Sequence, residues 1–104
     1  MDATKSFVAL NDELVINTSD PEAEDLLIDL RGAFVGTVQL QVSGDGVNYT
    51  VVQVLPVDGS AGVTSMTAAG TWKCSALAVK NAKAKCTAYT SGTIIVTLRS
   101  MRWT

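Results

Sequence analysis

The chain of 104 residues predicts an all-β fold, an antiparallel β-sandwich of jelly-roll-like form, on three observations. Short stretches of strict apolar/polar alternation recur along it. Turn signals separate them at intervals of roughly eight to twelve residues, and no stretch carries the 3.6-residue period of a long amphipathic helix. The composition agrees: apolar residues make up 47%, charged residues 17% and aromatics only 6%. That balance excludes an intrinsically disordered chain and requires a core of Val, Leu, Ile and Ala. A chain of this length forms one domain, which buries roughly two-thirds of its unfolded surface without staples.

Residues 1–24 read as an N-terminal arm or edge strand and residues 25–104 as the sandwich domain. The first segment is polar and acidic around two apolar patches, "SFVAL" and "ELVIN", and ends in "TSDPEAED", where Asp20 before Pro21 marks a break. Glu22, Glu24 and Asp25 are hard-cation ligands by type. They lack the spaced oxygen donors and glycine of a calcium loop, so the reading is a solvated acidic turn with no metal. "EAEDLLIDLRG" admits a short helix closed by Gly32, but the dense apolar run favours a strand.

From Gly36 the pattern sharpens. "TVQLQVS" places Val38, Leu40 and Val42 on a core face and Thr37, Gln39 and Gln41 on a wet one. The Gly44-Asp45-Gly46 stretch that follows precedes "YTVVQV" and reads as a hairpin corner with Asp45 bonding its local backbone. A phosphate cradle would need a helix at this point, and the β-branched residues oppose one. Pro56, Gly59, Ser60 and Gly62 punctuate the next connection. Gly70 then opens a strand with Trp72 and Cys74 on one side, Lys73 and Ser75 on the other. "NAKAKCTAYTSGTIIVTLRS" reads as a second hairpin. Ala82, Ala84, Cys86 and Ala88 face inward, Lys83, Lys85, Thr87 and Tyr89 face outward, Ser91-Gly92 forms the corner, and Ile94, Val96 and Leu98 return to the core.

The chemistry is mostly exclusion. There is no histidine, the commonest general base and metal ligand. A carboxylate pair such as Asp25 and Asp29 would need a deep cleft, for which a sandwich of this size rarely has room. No enzyme activity and no cofactor are expected. Cys74 and Cys86 fall on apolar strand faces and read as free, buried thiols rather than nucleophiles. The chain shows no signal-peptide pattern and no apolar run approaching the ~20 residues of a membrane helix, so a soluble protein made in the cytoplasm is expected. The sequons at Asn17 and Asn48 are then chance matches.

The net charge of −2 conceals a gradient. Up to Asp58 there are ten carboxylates against Lys5 and Arg31, a net −8; beyond it there are six bases and no acid. Two alternatives stand: the halves pair across one surface of the fold, or they offer complementary faces to a neighbouring copy. Lys73, Lys80, Lys83 and Lys85 lack interleaved aromatics, so neither nucleic acid nor membrane is expected as a partner.

From "GTVQLQVSGDGVNYTVVQV" through "AAGTWKCSALAVKNAKAKCTAYTSGTIIVTLRS" the chain resembles small β-sandwich virion proteins of tailed bacteriophages. Those run as an alternating strand, a Ser-x-Asp-Gly corner followed by an aromatic, an Ala-Gly-aromatic strand start and a closing Ser-Gly corner. Tyr49 stands where they often carry Trp, and Cys74, Cys86 and the alanines of the lysine strand where they often carry Val, which implies a thinner sandwich. The resemblance implies a virion structural protein, assembled in the host cytoplasm, of the capsid decoration or cement type. It would act as a symmetric homo-oligomer, with a trimer as the expected form, bound to the major capsid protein or another virion protein. A tail, baseplate or fibre component is the alternative within that class. The interface residues expected on this reading are Glu22, Glu24, Asp25, Lys83, Lys85, Arg99, Arg102 and Trp103. Trp103 packs either on a neighbouring subunit or over the open edge of its own sheet. Over "VQLQVSGDGVNYTVV" the chain is also similar to discoidin-like sugar- or lipid-binding modules. A carbohydrate-binding module would use Tyr49, Tyr89 and Trp103.

Overall fold

The computed structural model of the protein describes residues 2–18, 23–76 and 79–101. Within them lie nine strands: β1 (Asp2–Phe7), β2 (Glu13–Asn17), β3 (Asp25–Arg31), β4 (Phe34–Ser43), β5 (Thr50–Val51), β6 (Leu55–Pro56), β7 (Gly70–Ser75), β8 (Asn81–Gly92) and β9 (Ile94–Met101). They form two antiparallel sheets, one ordered β1-β9-β3-β7-β6 and the other β2-β8-β4-β5. The chain changes sheet between every two successive strands except β4 to β5 and β6 to β7, which is jelly-roll topology with β6 added at one margin. The stretch read as strand or helix around Asp25 is a strand, because its buried residues Leu26, Ile28 and Leu30 recur with period two.

The five-stranded sheet supplies the bulk of the core through Phe7, Leu26, Ile28, Leu30, Ile94, Val96 and Leu98. The four-stranded sheet answers with Ile16, Val38 and Leu40, and on β8 with the small residues Ala82, Ala84 and Cys86. Large side chains on one sheet and small ones on a central strand of the other let the layers close without overpacking. The long connection between β5 and β7 adds Val54 and Met66 to this interior. It is anchored by paired backbone hydrogen bonds between Val54 and Val63 and between Val38 and Met66.

Two expectations are corrected. "NAKAKCTAYTSGTIIVTLRS" is not a hairpin: β8 and β9 belong to different sheets. The corner at Gly92 and Thr93 carries the chain across the core. Both strands are apolar on the face toward that core, so their alternation is the same whether they pair or oppose each other. The second correction concerns β8. Its ladder with β4 slips by one residue between Thr37 and Val38 and again between Val35 and Gly36, leaving Thr87 and Thr90 as the extra residues of two β-bulges. A bulge shifts the alternation by one. Ala88, expected inside, is exposed, and Tyr89, expected outside with the lysines, packs against the core and donates a 2.7 Å hydrogen bond to Gly92 O.

Candidate functional site

The glycine-rich corner is structural. Asp45 accepts hydrogen bonds from the backbone N–H groups of Val47 and Asn48, each at 2.8 Å, from Asn48 Nδ2 at 2.9 Å and from Ser43 Oγ at 2.9 Å. The backbone donors Asn48 and Val47, then the side chains of Asn48 and Ser43, hold its carboxyl well below the usual carboxylate range. All its acceptor capacity is turned on the loop that carries it, as expected of a turn residue. Asp12 does the same work at the β1–β2 corner, accepting from Val8 N at 2.8 Å and Ala9 N at 3.1 Å. The sequence reading missed it, because no glycine or proline flags that corner.

The charged residues mostly find partners within the chain. On the outer face of the four-stranded sheet, Glu13 of β2 lies between Lys83 and Lys85 of β8, at 3.3 and 3.8 Å. The Lys83 ammonium also stands 4.1 Å from the centre of the Tyr49 ring, a cation–π contact. On the outer face of the other sheet, Arg99 of β9 pairs with Asp2 of β1 at 3.5 Å, and Arg31 with Asp29 at 2.9 Å. The acidic N-terminal strands and the basic C-terminal strands are ladder neighbours, β1 with β9 and β2 with β8. Of the two readings of the charge gradient, pairing across the protein's own surface is the one the geometry displays.

Among the expected interface residues, Lys83, Lys85 and Arg99 are therefore engaged in intrachain pairs. Glu24 and Asp25 open β3 at the opposite end of that sheet from the Gly92 corner, where the Glu24 backbone bonds Met101 O and Ala76 N. Glu22, Arg102 and Trp103 lie outside the described residues. Among the described residues, Lys83 and Lys85 thus lie on the outer face of one sheet, Asp25 and Arg99 on that of the other, and Glu24 just before β3.

Asp25 and Asp29 share the outer face of β3, but only Asp25 lines the open depression of about 320 Å³ there, with Leu27, Leu55, Lys73 and Met101, so the two carboxylates do not meet in one cleft. Burial pushes the Asp29 carboxyl up, but the hydrogen bond from Thr71 (2.6 Å) and the hydrogen bond and charge of Arg31 outweigh it, so the group sits below its ordinary value. A carboxylate held ionised in this way is a poor general acid. Desolvation first, and Asp25 second, push the Cys74 thiol up to about 11; desolvation likewise raises the fully buried Cys86. Neither has thiolate character at neutral pH. No group of three His, Cys, Asp or Glu side chains able to hold a metal ion occurs among the described residues. Among the described residues there is no helix long and apolar enough to cross a membrane.

What remains is apolar surface that sequence reasoning did not single out. Val8, Leu10, Val35 and Ile95 are each 41–58% exposed. They surround the end of the sandwich where three corners meet: β1–β2, β3–β4 and β8–β9. A hydrogen bond from Thr93 N to Ala33 O ties the β8–β9 corner to the β3–β4 corner, and one from Asn11 N to Cys86 O holds the β1–β2 corner against β8. The only sequence signal was the apolar patch "SFVAL", whose Val8 and Leu10 point to solvent while Phe7 fills the core. A shallow depression of about 360 Å³, lined by Phe34, Val35, Thr37, Thr67, Ala88 and Thr90, continues this rim onto the four-stranded sheet.

No protein-family model matches the chain, and no curated protein matches it in sequence. In structure it is similar to the SPBc2 prophage-derived protein YomS, with a TM-score of 0.73 at 9% sequence identity, over 96% of this chain and 95% of that one. The two share a fold along almost their whole lengths.

Proposed function

We propose that this protein is a non-enzymatic structural component of a bacteriophage particle, acting as a decoration or cement subunit that binds the assembled head as an oligomer. The observation that carries this reading is the structural likeness, along nearly the full length of both chains, to a prophage-derived protein. The chemistry supports it: no histidine in the sequence, thiols held protonated, and Asp12, Asp45 and Asp58 committed to turns, Asp2, Glu13 and Asp29 to ion pairs. A subunit that binds only the assembled lattice stabilises that lattice by mass action, and many weak contacts add through multivalency. The corner rim, where Val8, Leu10, Val35 and Ile95 are exposed, is the surface we assign to that attachment, since the buried cores of interfaces are more apolar than the rest of a protein surface.

The test is to purify particles from a lysogen that encodes the chain and to locate it by mass spectrometry in separated heads and tails. On this reading it co-purifies with heads. Supplied in trans, the Leu10→Glu/Val35→Glu double variant fails to decorate heads while remaining folded. Recovery with tails alone moves the protein to a tail or baseplate role, and recovery with neither removes it from the particle. A carbohydrate-binding reading has less behind it: Tyr49 has Lys83 over its ring, Tyr89 is folded toward the core, and Trp103 lies outside the described residues.

A further inference from the structure

At the β6 margin of the five-stranded sheet, an open depression of about 390 Å³ lies between the end of β3, the turn after β6 and the start of β7. Arg31, Asp58, Ser60, Gly70, Thr71 and Trp72 are among the residues that line it. One wall is aromatic. Trp72 is partly buried, packed against the core and also lining the depression. Its six-membered ring passes so close to Gly70 that a Cβ there would stand 2.9 Å from it. Glycine at the start of β7 thus leaves the indole room to lie along the strand.

The polar groups are fixed beforehand. The Arg31 guanidinium is forked onto Asp29, Nε to Oδ2 at 3.0 Å and Nη2 to Oδ1 at 2.9 Å, which leaves Nη1 outside these bonds, on a side chain 62% exposed. Thr71 donates its hydroxyl proton to Asp29 Oδ1 at 2.6 Å and keeps acceptor capacity. The turn after β6 is tied to β7 through Val57 N and Thr71 O at 3.2 Å. Within it, Asp58 accepts from Ser60 N at 2.9 Å and from the Ser60 side chain. A carboxylate has roughly four lone-pair positions, so acceptor capacity remains there too.

This combination selects a ligand by chemistry. Arg31 and Asp58 are the two charged residues lining the depression, and their charges cancel. Asp29 behind Arg31 disfavours an anion further, and the exposed guanidinium disfavours a cation. Donors and acceptors beside an aromatic face fit a molecule with hydroxyls on its edge and apolar C–H groups on its face, which describes a sugar ring. We infer that this depression binds a neutral saccharide, its C–H face on Trp72, its hydroxyls donating to Asp58 and accepting from Arg31, with Ser60 and Thr71 alongside. The site uses none of Tyr49, Tyr89 and Trp103, the aromatics expected from the sequence. It stands apart from the particle assignment: the purified chain binds or fails to bind whether or not it decorates heads.

The experiment is a fluorescence titration of the full chain carrying Trp103→Phe, in which Trp72 is the remaining tryptophan. The probes are glucose, galactose, mannose, maltose, cellobiose and N-acetylglucosamine, with cationic glucosamine and anionic glucuronate beside them, each to about 50 mM. The expected result is a saturable change in Trp72 emission with at least one neutral sugar, at an affinity at least about tenfold above that for either charged probe. Arg31→Gln and Asp58→Ala, with circular dichroism like that of the parent chain, should each raise the dissociation constant at least about fivefold. Lys80→Gln, on an exposed residue next to the other sheet, should leave it unchanged. No saturable response to any neutral sugar, tighter binding of a charged probe, or binding that survives both the Arg31 and the Asp58 substitutions would overturn the inference.

Discussion

The carboxylate of Asp45 accepts four hydrogen bonds within its own six-residue corner, and each is strongest when the group is ionised. The resulting pH dependence has a definite sign. A pKa lowered on folding contributes stability above the unfolded value, about 3.9 for Asp, and that contribution is lost as pH falls below it. Asp45→Asn keeps the size and one acceptor but abolishes the titration. The gap in urea midpoint between native protein and Asp45→Asn should be constant from pH 7 to about 5 and shrink between about pH 4 and pH 2. Asp29 and Asp58 are also lowered, Asp58 by the side chain and backbone of Ser60, but both occur in each protein and cancel in the difference. A gap that does not change with pH would show that Asp45 acts through shape alone. This corner was legible in the sequence because glycine, aspartate and the flanking β-formers all act locally.

At the scale of elements, the turn at Gly92 has the same local form as the turn at Gly46, yet it joins strands of different sheets. Alternation identifies which face of β8 and β9 is apolar, but not which neighbour each strand pairs with, so the sheet crossing was not readable. Nor were the bulges at Thr87 and Thr90, which reverse the facing of Ala88 and Tyr89: two extra residues in one strand are visible only against the register of its partner. The crossing makes a steric demand that a simple hairpin would not. Gly92 has φ +90°, and a Cβ there would collide with Ala33 O in the neighbouring β3–β4 corner. Gly59 has nearly the same φ, +88°, with nothing within 4 Å of an added Cβ. Gly59→Ala should therefore cost only the backbone term, about 1 kcal/mol, and Gly92→Ala about 2–3 kcal/mol, since it adds a clash with backbone that cannot swing away. Chemical denaturation of the two variants gives the comparison directly, and equal losses would mean the β8–β9 corner relaxes freely.

For the molecule as a whole, the question is whether residues 2–18 are an appendage or part of the closure. β1 supplies six ladder pairs to β9 and β2 five to β8. Between them they place Phe7 and Ile16, both essentially inaccessible, at the margin of the core. They also carry the carboxylates that pair with Arg99, Lys83 and Lys85. Exposed ion pairs of this kind contribute at most about 1 kcal/mol each, so the apolar anchors and the ladders dominate. Removing both strands would uncover the margins of β8 and β9 and leave the two sheets without their connection at that end. The chain beginning at residue 19 should lack a cooperative urea transition and aggregate through its bared margins. Within the intact chain, Phe7→Ala should lower stability by about 3–5 kcal/mol. Val8→Ala, one residue on but 56% exposed, should change it by less than about 0.5 kcal/mol. A truncated chain that still unfolds cooperatively, with a Phe7→Ala effect no larger than that of Val8→Ala, would make the N-terminal strands an accessory, and the sandwich would have to close on β3, β4 and β7–β9 alone.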